Sequence, residues 1–230
     1  TTGVVQIGDQ VIINDRWYIQ GGFTQDISLG EREEFNNSPR KDIFIAEIRD
    51  SELIKGFSLE GVFESEAYRL NNIDDQLFLT AEIHRNLRPH PDLEELIFED
   101  YVLYCGMYNL SLENEWYGLI HGNFIIPERS KMTGEKHILP ITIQNDIRYK
   151  NLNYTIPEEN STQALYFQFS EKGELLESYA PDITNFVIAG DVASQDNELL
   201  FSINFFGETT DLNSDFYDGL IANFQEMTPI

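Results

Sequence analysis

Short apolar runs of four to eight residues, rich in Ile, Val, Phe and Tyr and broken by clusters of Asn, Asp, Gly and Glu, fill this chain. Runs of that length and composition are strands, not helices. They also recur. Tyr18-Ile19-Gln20-Gly21-Gly22-Phe23 has counterparts in Phe78-Leu79-Thr80-Ala81-Glu82-Ile83, Thr142-Ile143-Gln144-Asn145-Asp146-Ile147 and Phe201-Ser202-Ile203-Asn204-Phe205-Phe206, whose last residues are 60, 64 and 59 positions apart. A second run follows each of these after a polar loop: Asp42-Ile43-Phe44-Ile45-Ala46-Glu47-Ile48, Asp100-Tyr101-Val102-Leu103-Tyr104, Gln163-Ala164-Leu165-Tyr166-Phe167-Gln168-Phe169 and Asp218-Gly219-Leu220-Ile221-Ala222-Asn223-Phe224. A third strand is expected at Ile54-Lys55-Gly56-Phe57-Ser58-Leu59, Trp116-Tyr117-Gly118-Leu119-Ile120 and Leu175-Leu176-Glu177-Ser178-Tyr179, while in the last unit the chain ends first. A fourth precedes the first run, as at Val4-Val5-Gln6-Ile7, Ala67-Tyr68-Arg69-Leu70 and Asn185-Phe186-Val187-Ile188, and the polar pairs Asp74-Asp75 and Asp196-Asn197 suit hairpin turns.

Four antiparallel strands in a unit of roughly 60 residues match the blade of a β-propeller, in which each small sheet buries its faces against its neighbours. The expected fold is therefore all-β and β-propeller-like, with about four blades at approximately 1–60, 61–123, 124–183 and 184–230 of one domain. Such blades would form a four-bladed ring or part of a larger one. A β-sandwich or barrel with long hairpins is the competing architecture. Only 91–98, Pro91-Asp92-Leu93-Glu94-Glu95-Leu96-Ile97-Phe98, carries a helical pattern, and it predicts a two-turn decoration in a loop.

Two of the units, Tyr18-Ile19-Gln20-Gly21-Gly22-Phe23 with Asp42-Ile43-Phe44-Ile45-Ala46-Glu47-Ile48, and Phe205-Phe206-Gly207 with Asp218-Gly219-Leu220-Ile221-Ala222-Asn223-Phe224, carry a recognisable pattern. It resembles that of bacterial β-propeller repeats, an aliphatic strand with a Gly-Phe-like end, a polar loop and then Asp-x-Phe-Val-Ala-Lys-Leu. The resemblance implies a propeller in an exported or surface-attached protein, with no catalytic residues shared among the repeats.

The chain holds 15 Lys and Arg against 40 Asp and Glu, a net charge of -25. Such a surface repels phosphate backbones and anionic lipid, so nucleic-acid binding is not expected. No apolar stretch reaches the ~20 residues of a membrane-spanning helix, and membrane insertion is not expected either. The chain starts at Thr1 without a signal-like segment, which reads as a processed form or an excised piece and leaves export open. The single cysteine, Cys105, lies in an apolar run and reads as a buried, inert thiol.

His84, His90, His121 and His137 lack the close spacing that places two imidazoles on one ion and read as surface or turn residues, so no metal site is expected. No cofactor is expected. Ca2+ is the one ion for which the acidic turns 191–196, 211–218 and 158–160 offer oxygen ligands, without the spacing that wraps a single cation. Carboxylate neighbours such as Glu33 with Glu34, or Asp74 with Asp75, are unavoidable among 40 acids. The segment His84-Arg85-Asn86-Leu87-Arg88-Pro89-His90-Pro91 concentrates scarce cations, so Arg85 and Arg88 are candidates either for an acidic ligand or for salt bridges to Glu94, Glu95 or Glu99. Trp17 and Trp116 are candidates to stack on sugar rings or anchor a protein partner, or else to pack between sheets.

These features suggest a non-catalytic binding or structural module for a protein or carbohydrate ligand. The alternatives are a carbohydrate-active enzyme with a carboxylate pair in a cleft, and a structural fragment of a larger propeller.

Overall fold

The computed structural model describes residues 4–24, 27–29, 32–35, 42–59, 65–88, 94–133, 136–158, 161–181, 186–195, 198–208, 213–223 and 227–229. All regular structure among these residues is β, the sheets are antiparallel, and none closes on itself. The chain divides into two compact units, Thr1–His121 and Gly122–Ile230.

In the N-terminal unit β1 (Val5–Ile13), β2 (Arg16–Phe23), β5 (Asp42–Arg49) and β6 (Glu52–Leu59) form a four-stranded meander, with the short hairpin β3 (Ile27–Leu29) and β4 (Arg32–Phe35) inserted after β2. A second meander follows as β7 (Glu66–Ile73), β8 (Gln76–Leu87), β9 (Leu96–Tyr108) and β10 (Asn114–His121). Three hairpins turn on two residues with left-handed backbone: Asn14 and Asp15, Asp50 and Ser51, Asp74 and Asp75, with φ between 47° and 67°. That is the mirror-image turn whose twist matches paired strands, and it favours Asn and Asp because short polar side chains tolerate φ > 0. Asp74 and Asp75 are thereby accounted for by the turn. Asp196 and Asn197 lie outside the described residues.

Period-2 alternation makes each meander two-faced. Tyr18, Ile43, Ile45, Phe57 and Leu59 of the first sheet pack in one core with Leu70, Leu77, Leu79, Ala81, Ile83, Val102, Tyr104 and Tyr108 of the second. The opposite face of the first sheet carries a smaller cluster of Phe23, Phe44, Ala46 and Leu53. Gly21 sits between them because a Cβ there would collide with the Gln6 carbonyl oxygen and the Phe44 ring.

In the C-terminal unit β13 (Lys136–Ile143) is flanked on one side by two short strands, β11 (Ile125–Pro127) and β12 (Lys131–Thr133), and on the other by β16 (Gln163–Ser170). Next come β17 (Leu175–Pro181) and, beside it, the last strand β21 (Met227–Pro229). A hairpin of β14 (Ile147–Tyr149) and β15 (Leu152–Tyr154) lies between β13 and β16 in sequence, and β18 (Phe186–Gln195), β19 (Glu198–Glu208) and β20 (Asn213–Asn223) make a separate meander. Ile138, Ala164 and Tyr166 share a core with Val187, Ala189, Val192, Phe201 and Ile203. The Thr162 hydroxyl accepts from the Val187 N–H at 2.8 Å and donates to the Val187 carbonyl, while Thr142 Oγ1 accepts from the Ala189 N–H at 2.9 Å.

Two expectations are corrected here. The helical pattern at 91–98 does not produce a helix where it is described: Leu96 and Ile97 pair with Leu87 and Asn86 as the start of β9. Eight residues cannot repay helix nucleation, whereas strand pairing extends a ladder already formed by Val102 onward. The strand expected at 142–147 lies earlier, and Gln144, Asn145 and Asp146 form a bend after β13. Pro140 hides the true strand, since proline argues against a strand interior. Here the Pro140 carbonyl accepts from Glu128 N–H at 2.9 Å on the side of β11 and β12. Its amide-less nitrogen faces the same side, in the gap between those two short strands, and the ladder to β16 is complete.

Candidate functional site

Of the two buried acids of the first meander, Asp42 lies on the outer face and Glu47 at the end of the inner face. Glu47 lies among the apolar residues of β5, 1% exposed, and three cations close around it: Arg49 Nη2 at 3.0 Å, Lys55 Nζ at 3.2 Å and Arg16 Nε at 3.7 Å. A carboxylate taken from water requires such partners. Lys55 Nζ also donates to the Leu110 carbonyl at 2.6 Å, and the Tyr18 hydroxyl donates to that carbonyl at 3.1 Å. Leu110 belongs to the β9–β10 turn, held by Asn109 Oδ1, which accepts from Ser111 and Glu113 N–H groups. The cluster therefore clamps one sheet to the other. Burial pushes the Tyr18 phenol up from its usual range, and the Tyr18 hydroxyl together with Glu47 raises Arg16.

The opposite face of the same sheet is different in character. Trp17 stands opposite Ile12 in the β1–β2 ladder, and the register places Ile7 and Val5 on the same face, opposite Gly21 and Phe23. All four are exposed, Trp17 at 46% and Ile12 at 55%, although Phe23, Phe44 and Leu53 of that face are buried. An apolar surface that is closed over β5, β6 and the end of β2 and open along β1 and at Trp17 is a surface ready to be covered.

Trp116, by contrast, is 8% exposed and its indole packs on Phe78 with ring centroids 5.9 Å apart. The two tryptophans that the sequence offers as equals are thus one surface residue and one core residue. Arg85 lies near the far end of β8, about 30 Å of strand from its first residue by the rise per residue, and Arg88 directly follows the strand. Arg85 is exposed with φ 67°, at a register shift between His84 and Asn86. The structure does not bring these arginines to Trp17.

On the outer face of β8, Glu82 accepts from the Tyr68 hydroxyl at 2.9 Å and lies 3.3 Å from His84 Nε2, whose ring meets Tyr101 edge-on. Burial raises the Glu82 carboxyl above the usual carboxylate range, the Tyr68 hydrogen bond opposes that shift, and Glu66, opposite Glu82 in the ladder, adds to it. The histidines are not all surface or turn residues. His84 and His121 are half-buried on strands, and His137 is fully buried in β13 beside Phe169, where desolvation lowers its pKa to about 3. His90 lies outside the described residues.

Cys105 is buried and its thiol is pushed up by desolvation, so it is a packing residue. Among the described residues no group of three His, Cys, Asp or Glu is arranged to hold a metal ion. The acidic turns divide: Asp191 lies in β18 and Asp218 in β20, while Glu159, Asn160, Asp196 and Asp211 fall outside the described residues. Among the described residues no helix is long and apolar enough to cross a membrane.

Sequence reasoning missed the Glu47 clamp and the open β1–β2 face. An acid inside the apolar run 42–48 signals the first, because such an acid must be paired. Nothing in the sequence signals the second, because Ile12 and Trp17 read as ordinary strand residues. Comparison of the chain with protein-family models and with curated proteins finds no match.

Proposed function

We propose that this protein is a non-catalytic binding module, exported or surface-associated, that docks a protein partner on the β1–β2 face. The observation that carries the reading is the row of Val5, Ile7, Ile12 and Trp17, exposed together on one face of the first sheet. Aromatic anchors dominate protein interfaces, and here Gln10 is the polar side chain set in the row, between Ile7 and Ile12. The succession of antiparallel meanders supports a β-propeller-like scaffold, and the face-to-face sheets of the N-terminal unit equally support a β-sandwich. Either presents this face on a rigid sheet held by the Glu47 clamp.

The test is selection of peptides from a displayed library on the purified chain, followed by affinity measurement on Trp17→Ala and Ile12→Lys. Peptides rich in apolar residues are expected, with affinity falling at least about tenfold in each variant. Peptides that bind both variants as well as the parent would remove this face from the reading. Thermal unfolding with a panel of soluble oligosaccharides, with Ca2+ and with EDTA addresses the other ligands, since anything that binds the native state raises its midpoint. A Trp17-dependent shift with a saccharide would reassign the face to carbohydrate.

A second reading rests on Glu82. Its carboxyl, raised by burial, stands opposite Glu66 in the β7–β8 ladder, and a raised acid beside a second carboxyl group is what a general acid in glycoside hydrolysis requires. Turnover of an oligosaccharide that Glu82→Gln abolishes would establish that reading in place of the first.

A further inference from the structure

Strands β8 and β9 outrun their neighbours. β10 pairs with β9 only from Val102 to Tyr108, and β7 pairs with β8 only from Gln76 to Glu82. Beyond those points 83–87 and 96–101 continue as a two-stranded arm. An isolated pair of strands is marginal in water. This arm is held because its inner face is docked: Ile83 and Leu87 are fully buried in the main core of the unit, with Phe98 packed against it. Its outer face is open. Ile97 is 84% exposed, the most of any large hydrophobic in the described residues, and Tyr101, two positions of alternation further on, is 40% exposed.

The free edge of the arm, the side of β9 that β10 leaves at Val102, carries no paired strand among the described residues. Its backbone N–H and C=O groups form a template for another strand. The edge is also charged with one sign. Residues 94–101 contain Glu94, Glu95, Glu99 and Asp100 and no Lys or Arg; Arg85 and Arg88 belong to the other strand. The register shift at Arg85 bends the arm, a device that limits indiscriminate pairing between edges.

A second copy of this chain is a poor occupant. Antiparallel self-pairing of Ile97 with Tyr101 would set Glu99 against Glu99 of the copy, between molecules that each carry a charge of -25. A basic strand meets the opposite situation. It is steered in by the net charge, places a cation on Glu99, and covers Ile97 and Tyr101 with apolar residues two positions to either side of that cation, on the same face.

We propose that the β9 edge of this arm receives an extended, basic and apolar-alternating segment of a protein partner as an added strand. This mode of recognition takes affinity from main-chain hydrogen bonds and specificity from alternate side chains. The site is separate from the β1–β2 face and rests on different residues.

The test is calorimetric titration of the full chain with a short synthetic peptide of the repeat Lys-Thr-Val-Thr, which sets lysine and valine in turn on one face, and with the same peptide N-methylated on the amides of one edge. Binding of the first, lost with the second, is expected. Ile97→Lys, an exposed position whose change leaves the core intact, should weaken binding at least about tenfold, and Trp17→Ala should leave it unchanged. Equal binding of the N-methylated peptide would show charge attraction without strand addition and would overturn the proposal. So would equal affinity in parent and Ile97→Lys. Loss of binding in Trp17→Ala alone would move the peptide to the β1–β2 face, sustaining that reading while ending this one.

Discussion

The two meanders of the N-terminal unit have the same strand order and similar two-residue turns, yet they treat a tryptophan and a glutamate in opposite ways. In the first, Trp17 faces solvent and Glu47 is buried among three cations. In the second, Trp116 is buried on Phe78, and Glu82 is half-buried with a tyrosine and a histidine as its neighbours. The difference shows that a strand's pattern sets which side chains share a face, and that the next layer sets what that face becomes. Along β1 and at Trp17 the outer face of the first meander is open. The corresponding residues of the second are covered: Phe78, Leu103, Met107 and Trp116 are all buried.

The sharpest way to break this contrast is to remove the buried acid. Glu47→Ala leaves Arg16, Arg49 and Lys55 gathered without their carboxylate, and a loss of about 3–5 kcal/mol is expected in denaturant unfolding. A loss below about 1 kcal/mol would mean that the three cations simply turn to water and that the clamp contributes little. The tryptophans come next. Trp116→Ala should cost about 3–5 kcal/mol by emptying a packed site, while Trp17→Ala should stay within about 0.5 kcal/mol. Equal costs would mean that Trp17 is covered in solution, contrary to its exposure here.

Titration sharpens the comparison further and extends it to the C-terminal unit. His137 is held neutral, with a folded pKa of about 3 against an unfolded value near 6.5. Between those values the unfolded chain binds a proton that the folded chain refuses. Stability therefore falls as pH drops through that window, by about 1.4 kcal/mol per pH unit. His137→Leu should remove that share of the acid slope, read from unfolding free energies between pH 6.5 and 4; an unchanged slope would show that another group carries it.

Glu82 has the opposite sign and the smallest effect. Its folded pKa is raised, so the folded state holds a proton longer and the penalty develops as pH rises past the ordinary carboxylate range. Glu82→Gln keeps an acceptor for the Tyr68 hydroxyl and should raise the melting point at pH 7 by an amount that vanishes near pH 4. The gain should be less than about 1 kcal/mol, because the group is half in water. A lower melting point at pH 7 would mean that the charged carboxylate is required by Tyr68 and His84.

Much of the strand order was legible. The runs at 18–23, 42–48, 54–59, 78–83, 116–120 and 163–169 fall in β2, β5, β6, β8, β10 and β16, because alternation over a half-buried sheet is a local property. The errors occur where a local rule meets a neighbour. Proline hid β13, which has room for it only because β11 and β12 leave a gap opposite Pro140. An apparent helix at 91–98 yields to the pairing of Leu96 and Ile97 with β8. The last strand offers the same lesson: β21 joins β17 and not the meander that precedes it in the chain.

By itself, then, the sequence determined an all-β chain, the turn at Asp74-Asp75, the acidic surface and the burial of Cys105, since each follows from local periodicity, turn chemistry or composition. Only the tertiary structure decided that Glu47 is a clamp, that Trp17 is a surface residue and Trp116 a core residue, and that β8 and β9 run past their neighbours. Burial, pairing and open edges are relations between segments distant in the chain, and no single strand carries them in its own residues.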